Sequence, residues 1–378
     1  MQFNTISREL FDLETDDEVT FVKGYLPIGV DLAKYNIEVY CYNFKSNKFK
    51  SRTLSREQFK SFLNESEHKL LVSFEAGGSS HYWARYCISC GHKVRLITTR
   101  FVSSVRDKNK DDKHDAKLIY LAALTLGCRT TGVKSEKEQM LYTILKLRDQ
   151  LLKDRVKLTN FWRATIYEMG EPIKGNLISL KQHTENLAID SDNVRTDTKD
   201  LIAKINGLCS SQIDELNLKV KEIDDYLKGV ARTDADCALL MTIHGVSEIS
   251  ATVIMTSLSN IGNFPDGPHY ASLIGFAPRH RGTGGSNYNI SAGPTGHKSI
   301  KKCYFFAAMA IYRQVKNIEE QENCWLHRIV KEKGGKTAIC AIANRLACTA
   351  YSMLKNKTPF DMERFKGKYL EVSKQKAS

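Results

Sequence analysis

Two carboxylates stand at the ends of short apolar segments that have the composition of buried strands. Asp31 closes residues 25–31, and Glu75 follows residues 68–74 directly before Ala-Gly-Gly. Because the ends of neighbouring strands meet at one edge of a sheet, acids at such ends can share a site there. The sequence therefore predicts a carboxylate site at a sheet edge, with helix capping as the alternative role for both acids.

A second pair of acids, Asp112 and Asp115, lies in the charged segment 110–116. Their spacing puts both residues on one face if a helix begins there. Carboxylate oxygens suit Mg²⁺ or Mn²⁺, and two such ions can activate a nucleophile and stabilise the leaving oxygen of a phosphodiester. The four acids together predict metal-dependent phosphodiester chemistry. The alternative is that residues 107–115 are only a solvated charge run.

The distribution of basic residues indicates a polyanionic partner. The chain has 56 Lys+Arg against 43 Asp+Glu, a net charge of +13, and residues 267–318 contain no carboxylate. Lysines on an ordinary solvated face alternate with acids, so this window predicts contacts with nucleic-acid phosphates, and a charge excess that only confers solubility is the alternative. The candidate phosphate-binding residues are Arg279, Arg281, Lys298, Lys301 and Lys302.

The ten cysteines are scattered and do not form a disulfide framework. Cys87 and Cys90 make a C-x-x-C without a second pair at zinc-ribbon spacing, which favours two thiols on a helix face over zinc or redox chemistry. The chain has no apolar run of about 18 residues, and its acidic N-terminus lacks the apolar core of a signal peptide. These features predict an intracellular protein that does not enter a membrane.

The pattern of elements predicts a fold that is α/β in its first half and mostly α in its second. After an acidic leader (1–24), strands alternate with helices and argue for one α/β domain over 25–135. The predicted strands are 25–31, 36–42, 49–54, 68–74 and 93–98, and the predicted helices are 55–63, 81–90 and segments within 100–126.

Residues 136–230 are predicted to form a helical hairpin or coiled coil that separates two domains or dimerises, with a bend at 168–195. Heptad spacing carries this prediction in two segments: Met140, Ile144, Leu147, Leu151 and Leu158, and then Ile213, Leu216, Val220, Ile223, Leu227 and Val230. Residues 231–370 are predicted to be a helical domain with a helix-hairpin-helix-like segment at 239–251 and a Gly-rich loop at 275–296, followed by a tail (371–378).

Several segments resemble, in order and spacing, the DEDD transposases, an insertion-sequence family that includes the pilin-gene-inverting recombinases. In the first half they are 28–34, 74–78, 91–97 and 110–116, and in the second half 242–246, 271–279, 283–285 and 335–336. The resemblance covers roughly residues 25–365. It implies a RuvC-like domain of the RNase H type, in which Asp31, Glu75, Asp112 and Asp115 bind the metal ions, and a C-terminal transposase domain.

The sequence departs from the family pattern at positions that bear on the chemistry. Asp111 adds a fifth acid where the family usually has Thr, and His114 replaces a usual apolar residue. The family's nucleophile is a serine directly before a glycine of the C-terminal loop, and the matching position here is Thr283. A threonine hydroxyl can attack, although its methyl group crowds the approach. Ser286 is the alternative nucleophile, and an inactive copy is the third interpretation.

The resemblance implies a transposase that cuts and rejoins DNA through a covalent protein–DNA intermediate. It also implies that a noncoding bridge RNA selects donor and target DNA, that the protein acts as a dimer or tetramer, and that it works at the nucleoid in a prokaryotic cytoplasm. Two alternatives stay open. One is a junction-resolving nuclease that uses metal-activated water, and the other is a catalytically decayed nucleic-acid-binding protein.

Overall fold

The computed structural model describes residues 13–16, 19–22, 24–105, 112–125, 127–170, 172–190, 196–257, 261–276, 279–283, 286–290, 296–316 and 324–367. The chain divides into two compact units. The first comprises Met1–Gln139 and Leu258–Asn263, and the second comprises Met140–Ser257 and Phe264–Ser378.

The first unit is built on a mixed β-sheet. A separate antiparallel hairpin, β1 (Leu13–Asp16) and β2 (Val19–Val22), precedes it. The sheet strands are β3 (Leu26–Leu32), β4 (Asn36–Asn43), β5 (Lys48–Ser55), β6 (Leu70–Glu75), β7 (Lys93–Ile97) and β8 (Thr130–Thr131). Among the described residues these six strands lie in the order β5-β4-β3-β6-β7-β8. β4 is antiparallel to β3 and to β5, whereas β6 and β7 run parallel to β3. The five strands predicted from the sequence are confirmed.

Helices cover both faces of this sheet. They are α1 (Arg56–Asn64), α2 (Ser80–Ser89), α3 (Thr99–Val105) and α4 (Asp112–Leu124). Ser55 caps α1 in a reciprocal capping box with Gln58, as its sequence predicts. On one face, α1 and α2 bury Phe59 and Trp83 against the apolar side of β3. α4 lies on the opposite face and contacts β3, β4, β6 and β7.

The second unit contains long helices that pair within one chain. They are α5 (Glu136–Tyr167), which begins in the first unit, α6 (Leu177–Asp190) and α7 (Thr196–Thr233). Arg148 of α5 pairs with Asp224, and Trp162 Nε1 donates to Asn206 Oδ1 at 2.8 Å. Because positions rise on α5 as they fall on α7, the two helices are antiparallel. α5 and α7 thus pair as the predicted helical hairpin, but the prediction of a bend at 168–195 was wrong in part, because most of its described residues form the helix α6.

The apolar seam differs from the prediction on α5 but not on α7. Ile213, Val220 and Leu227 of α7 are buried, as their spacing predicts. On α5, however, Met140 is 54% exposed and Leu147 52% exposed, while Leu141 and Leu145 are buried. The prediction that Met140 and Leu147 lie in the buried seam was therefore wrong. Arg148 and Arg155 take positions that face α7 and bond its polar side chains, and this rotates the apolar row.

The remainder of the second unit is mostly helical. Its elements are α8 (Ala235–Met241), α9 (Glu248–Ser257), α10 (Gly267–Ile274), β9 (Arg279–Thr283), β10 (Ser286–Ile290), α11 (Lys298–Lys316), α12 (Trp325–Glu332), α13 (Gly335–Asn356) and α14 (Met362–Lys366). α11 and α13 pack closely because small residues such as Ala307 and Ala343 are fully buried on them. No helix among the described residues combines the length and hydropathy that crossing a membrane requires.

The structure tests two predictions for this part of the chain, the helix pair at 239–251 and the Gly-rich loop at 275–296. The helix pair at 239–251 is present, and its turn residue Gly245 (φ +85°) lies against α11, where an added Cβ would be 3.0 Å from the Ala307 Cα. That side of the turn therefore packs on protein. The Gly-rich segment, predicted as a loop without regular structure, contains the antiparallel hairpin β9–β10. Helical periodicity was absent there because the segment forms strands.

Candidate active site

Asp31 and Glu75 lie side by side on neighbouring parallel strands. Val30 of β3 is paired with Phe74 of β6, so the residues that follow them, Asp31 and Glu75, come next in the same register. Both carboxylates are half-buried. Neither residue begins a helix, since Asp31 lies within β3 and Glu75 is four positions before Ser79, the N-cap of α2. The helix-capping alternative for these two acids is therefore wrong.

Gly29 brings helix α4 onto the strand that carries Asp31. Gly29 lies two residues before Asp31 and so on the same face of the sheet. A Cβ built on Gly29 would stand 2.1 Å from the Ala116 carbonyl oxygen, a separation that no side chain could occupy. Only glycine permits this approach at that position. Because Asp115 directly precedes Ala116, the first turn of α4 delivers Asp115 to the sheet face of Asp31.

The first turn of α4 also contains Asp112. The helix begins at Asp112, which confirms that Asp112 and Asp115 share one helical turn. The Asp112 side chain and all of Asp111 lie outside the described residues. Among the described side chains, which leave out Asp112, no three His, Cys, Asp or Glu groups converge on a common point.

The donor chemistry of this site fits a hard divalent cation. Asp31, Glu75 and Asp115 offer only carboxylate oxygens, which Mg²⁺ and Mn²⁺ prefer. Cys87 lies on the opposite face of the sheet, fully buried on the α2 side, where burial raises the pKa of its thiol. Cys90 Sγ donates to Asn64 Oδ1 at 3.1 Å. The burial of Cys87 and the hydrogen bond of Cys90 support the interpretation of the C-x-x-C pair as two thiols on a helix face, without zinc or redox chemistry.

The structure adds one carboxylate that the sequence analysis did not single out. Glu38 of β4 stands directly opposite Asp31 in the antiparallel register. The signal available in the sequence was the hairpin itself, since a short connection between residues 32 and 36 fixes which residues pair. Glu38 was not predicted because it belongs to none of the motifs recognised in the sequence.

The hairpin β9–β10 holds both candidate nucleophiles. Thr283 and Ser286 are register partners at the closed end of the hairpin. Arg281 is paired with Tyr288, and Arg279 with Ile290. Alternate residues of a strand share one face, so Arg279, Arg281 and Thr283 belong to the same side of this ribbon. Their side chains lie outside the described residues.

The three candidate lysines of α11 differ in environment. Lys298 and Lys302 are exposed, and the Lys302 ammonium lies 5.6 Å from the centre of the Phe306 ring. Lys301 is half-buried, and its Nζ donates to the Gly275 carbonyl oxygen at 2.9 Å, at the C-terminus of α10. A cation at a helix C-terminus stabilises the fold. Lys298 and Lys302 are therefore exposed enough to contact a phosphate, whereas the Lys301 ammonium is already hydrogen-bonded within the protein.

Comparison with known proteins finds one family match in each half of the chain. Residues 28–169 match a family model of DEDD transposases of IS110 elements, described as a transposase. Residues 237–322 match a model described as the transposase IS116/IS110/IS902 family. The first match contains the four acids at 31, 75, 112 and 115, and the second contains the β9–β10 hairpin.

Curated relatives cover most of the chain. A probable family 20 transposase of Pseudomonas aeruginosa is 28% identical over 335 residues, which are 88% of this chain and 97% of that protein. The transposase for insertion sequence element IS1111A of Coxiella burnetii is 25% identical over 336 residues, covering 88% of this chain and 90% of that protein. The pilin gene-inverting protein of Moraxella bovis is 24% identical over 363 residues, covering 88% and 97%.

Proposed function

Because this chain belongs to the IS110 family of DEDD transposases, which cut and rejoin DNA, we propose that it mobilises an insertion sequence through a metal-dependent strand exchange. The observation that carries the proposal is the adjacency of Asp31 and Glu75, with α4 seated on Gly29 so that Asp115 reaches the same sheet face. A site of carboxylates alone suits phosphodiester chemistry.

The topology of the sheet supports a RuvC-like domain of the RNase H type. Three antiparallel strands are followed by two that run parallel to the first, in the order β5-β4-β3-β6-β7. In this arrangement β3 is central, and its end carries Asp31. We retain the domain limits 25–135, 136–230 and 231–370 as predictions.

The acids and the hydroxyl have separate roles in the proposed reaction. Asp31, Glu75, Asp112 and Asp115 would hold Mg²⁺ or Mn²⁺, and such an ion would supply positive charge against the negative charge that develops on the phosphate. The Thr283 Oγ1 attacks phosphorus, in cis or from another subunit; the bond from phosphorus to O3′ breaks, and the hydroxyl proton passes to that oxygen. A 3′ hydroxyl of a second strand then attacks the same phosphorus and returns the proton to Thr283.

The nucleic-acid partners follow from charge and from family membership. Arg279, Arg281, Lys298 and Lys302 contact phosphates, and such contacts position a duplex without reading its sequence. Sequence choice comes from a bridge RNA that pairs with donor and target DNA. The active assembly is a dimer or tetramer of this chain at the nucleoid in the cytoplasm.

The proposal is tested by DNA cleavage and strand exchange with the native element and its RNA. Asp31→Asn, Glu75→Gln, Asp112→Asn and Asp115→Asn should each abolish cleavage while nucleic-acid affinity stays near that of the wild type. Asp111→Asn is the matched control and should be milder, since the family has no acid there. Wild-type cleavage by Asp31→Asn would refute the metal site.

A denaturing gel separates the proposed mechanism from its two rivals. A protein–DNA adduct that survives denaturation supports the hydroxyl nucleophile. Metal-dependent cleavage without an adduct would instead indicate a junction nuclease that uses water. Binding without any cleavage would indicate a catalytically decayed protein.

A further inference from the structure

Three carboxylates form one row across the centre of the sheet. Glu38 of β4 is the direct antiparallel partner of Asp31 in β3. Asp31 is in turn the neighbour of Glu75 in β6, one step beyond the Val30–Phe74 pair. Residues that stand opposite in a sheet project from the same face, with Cβ atoms roughly 4.5–5.5 Å apart in an antiparallel pair. Glu38 therefore shares the sheet face of the proposed metal site.

On the side away from Asp31, the Glu38 carboxylate accepts a solvent-exposed hydrogen bond. Thr53 of β5 is the register partner of Glu38, and its Oγ1 donates to Glu38 Oε1 at 2.5 Å. The side chain of Glu38 is half-buried. A hydrogen bond to one carboxylate oxygen restrains the group and leaves the second oxygen available.

The row of acids has an electrostatic cost. Like charges directly opposite each other across two strands destabilise a sheet. In Asp31 and Glu38 the sequence places such a pair at the central strand, and α4 brings the carboxylate of Asp115 to the same face. A cation bound at this face converts repulsion among the carboxylates into attraction, so their charge favours metal binding at the expense of the metal-free protein.

We propose that Glu38, held by Thr53, is not a ligand of the cation but raises, through its charge on the same sheet face, the affinity for a divalent cation bound by Asp31, Glu75 and the acids of α4. The inference rests on the proposed function, since it presumes that the site binds a cation. It predicts two opposite effects of removing the Glu38 charge. The metal-free protein becomes more stable, and its affinity for the metal ion falls.

The test uses the full-length, nucleic-acid-free protein with Mn²⁺ as the probe. Glu38→Gln keeps an acceptor for Thr53 and removes only the charge. We expect its dissociation constant for Mn²⁺, measured by the EPR signal of the free ion, to rise about tenfold. In the absence of metal its melting temperature should be higher than that of the wild type. Thr53→Val, which keeps the charge but frees the carboxylate, should weaken Mn²⁺ binding by a smaller factor.

Glu65→Gln is the matched control, because Glu65 is an exposed acid at the end of α1, on the other face of the sheet. It should bind Mn²⁺ like the wild type. The inference is overturned if Glu38→Gln binds Mn²⁺ with wild-type affinity, or if it only lowers the melting temperature, as a purely structural partner of Thr53 would. Asp31→Asn separates failure of the inference about Glu38 from failure of the proposed metal site. If Asp31→Asn also binds Mn²⁺ with wild-type affinity, the proposed metal site itself is wrong.

Discussion

Gly29 of β3 lies directly beneath Tyr120 of α4, so close that a Cβ on Gly29 would stand 2.6 Å from the Tyr120 amide nitrogen. Neither the glycine nor the tyrosine has a part in the proposed chemistry. Their contact nevertheless sets the height of α4 above the sheet and hence the position of Asp115. The site depends on the absence of one methyl group.

Gly29→Ala should therefore damage both stability and the metal site. The added methyl group must push α4 away from β3, and overpacking of this kind costs about 1–3 kcal/mol of unfolding free energy. Urea unfolding measures the loss, and the Mn²⁺ dissociation constant should rise with it. Gly78→Ala is the control, since nothing lies within 4 Å of a Cβ at that position. Equal stability of the two variants would contradict the packing argument.

Thr283 and Ser286 are partners in the β9–β10 hairpin, so an alanine variant at one position is the control for an alanine variant at the other. We expect Thr283→Ala to lose the covalent adduct and Ser286→Ala to retain it. Thr283→Ser should keep or raise activity because the crowding methyl group is removed. Adduct formation is read on a denaturing gel with labelled DNA. If Ser286→Ala alone loses the adduct, Ser286 is the nucleophile, and if neither variant changes it, this hairpin supplies no nucleophile.

The lysines of α11 should separate into two classes. Lys298→Ala with Lys302→Ala should flatten the salt dependence of DNA binding, because each lost phosphate contact removes about 0.9 from the log–log slope. Lys301→Ala should leave that slope nearly unchanged and instead lower stability by about 1 kcal/mol, since it removes the hydrogen bond to Gly275. A double variant with the wild-type slope would show that α11 does not contact phosphates.

The ion pair between Arg148 and Asp224 should stabilise the α5–α7 hairpin. Both side chains are only about one-fifth exposed, and the hydrogen bond from Arg148 to Asp224 raises the pKa of the arginine. Asp224→Ala leaves a half-buried guanidinium without its partner and should cost about 1–3 kcal/mol in urea unfolding. The comparison is Glu215→Ala, which breaks an exposed pair with Lys219 and should leave the urea unfolding curve close to that of the wild type.

Stability should fall in mild acid because of His81. Burial, together with the charges of Lys134 and Arg85, lowers the pKa of His81 to about 4. The unfolded chain, with a histidine pKa of about 6.5, binds the proton more readily, so stability decreases as the pH falls from about 6.5 to 4. Urea unfolding of His81→Gln across this range should show a shallower decrease. An identical pH profile would exclude His81 as its source.

The sequence by itself determined five strands of the central sheet, the long helices of the hairpin and the identity of the principal acids. Apolar runs ending in Asp31 and Glu75 define strands with charged ends, and the spacing of Asp112 and Asp115 defines one helical turn. The seam of α7 was equally readable, since heptad spacing depends only on neighbours along one chain segment. The motifs around these acids also sufficed to indicate the family.

Only the tertiary structure decided which residues meet. The pairing of Glu38 with Asp31 and the fit of α4 on Gly29 depend on contacts between segments far apart in sequence, and hydropathy patterns carry no information about such distances. The same holds for Lys301, whose spacing resembles that of its neighbours although its ammonium is bound to Gly275. On α5, inward-facing arginines shifted the apolar seam because their partners on α7 satisfy their charge. Sequence periodicity predicts which residues share one face of a helix, but the helix packed against that face determines whether it is apolar or polar.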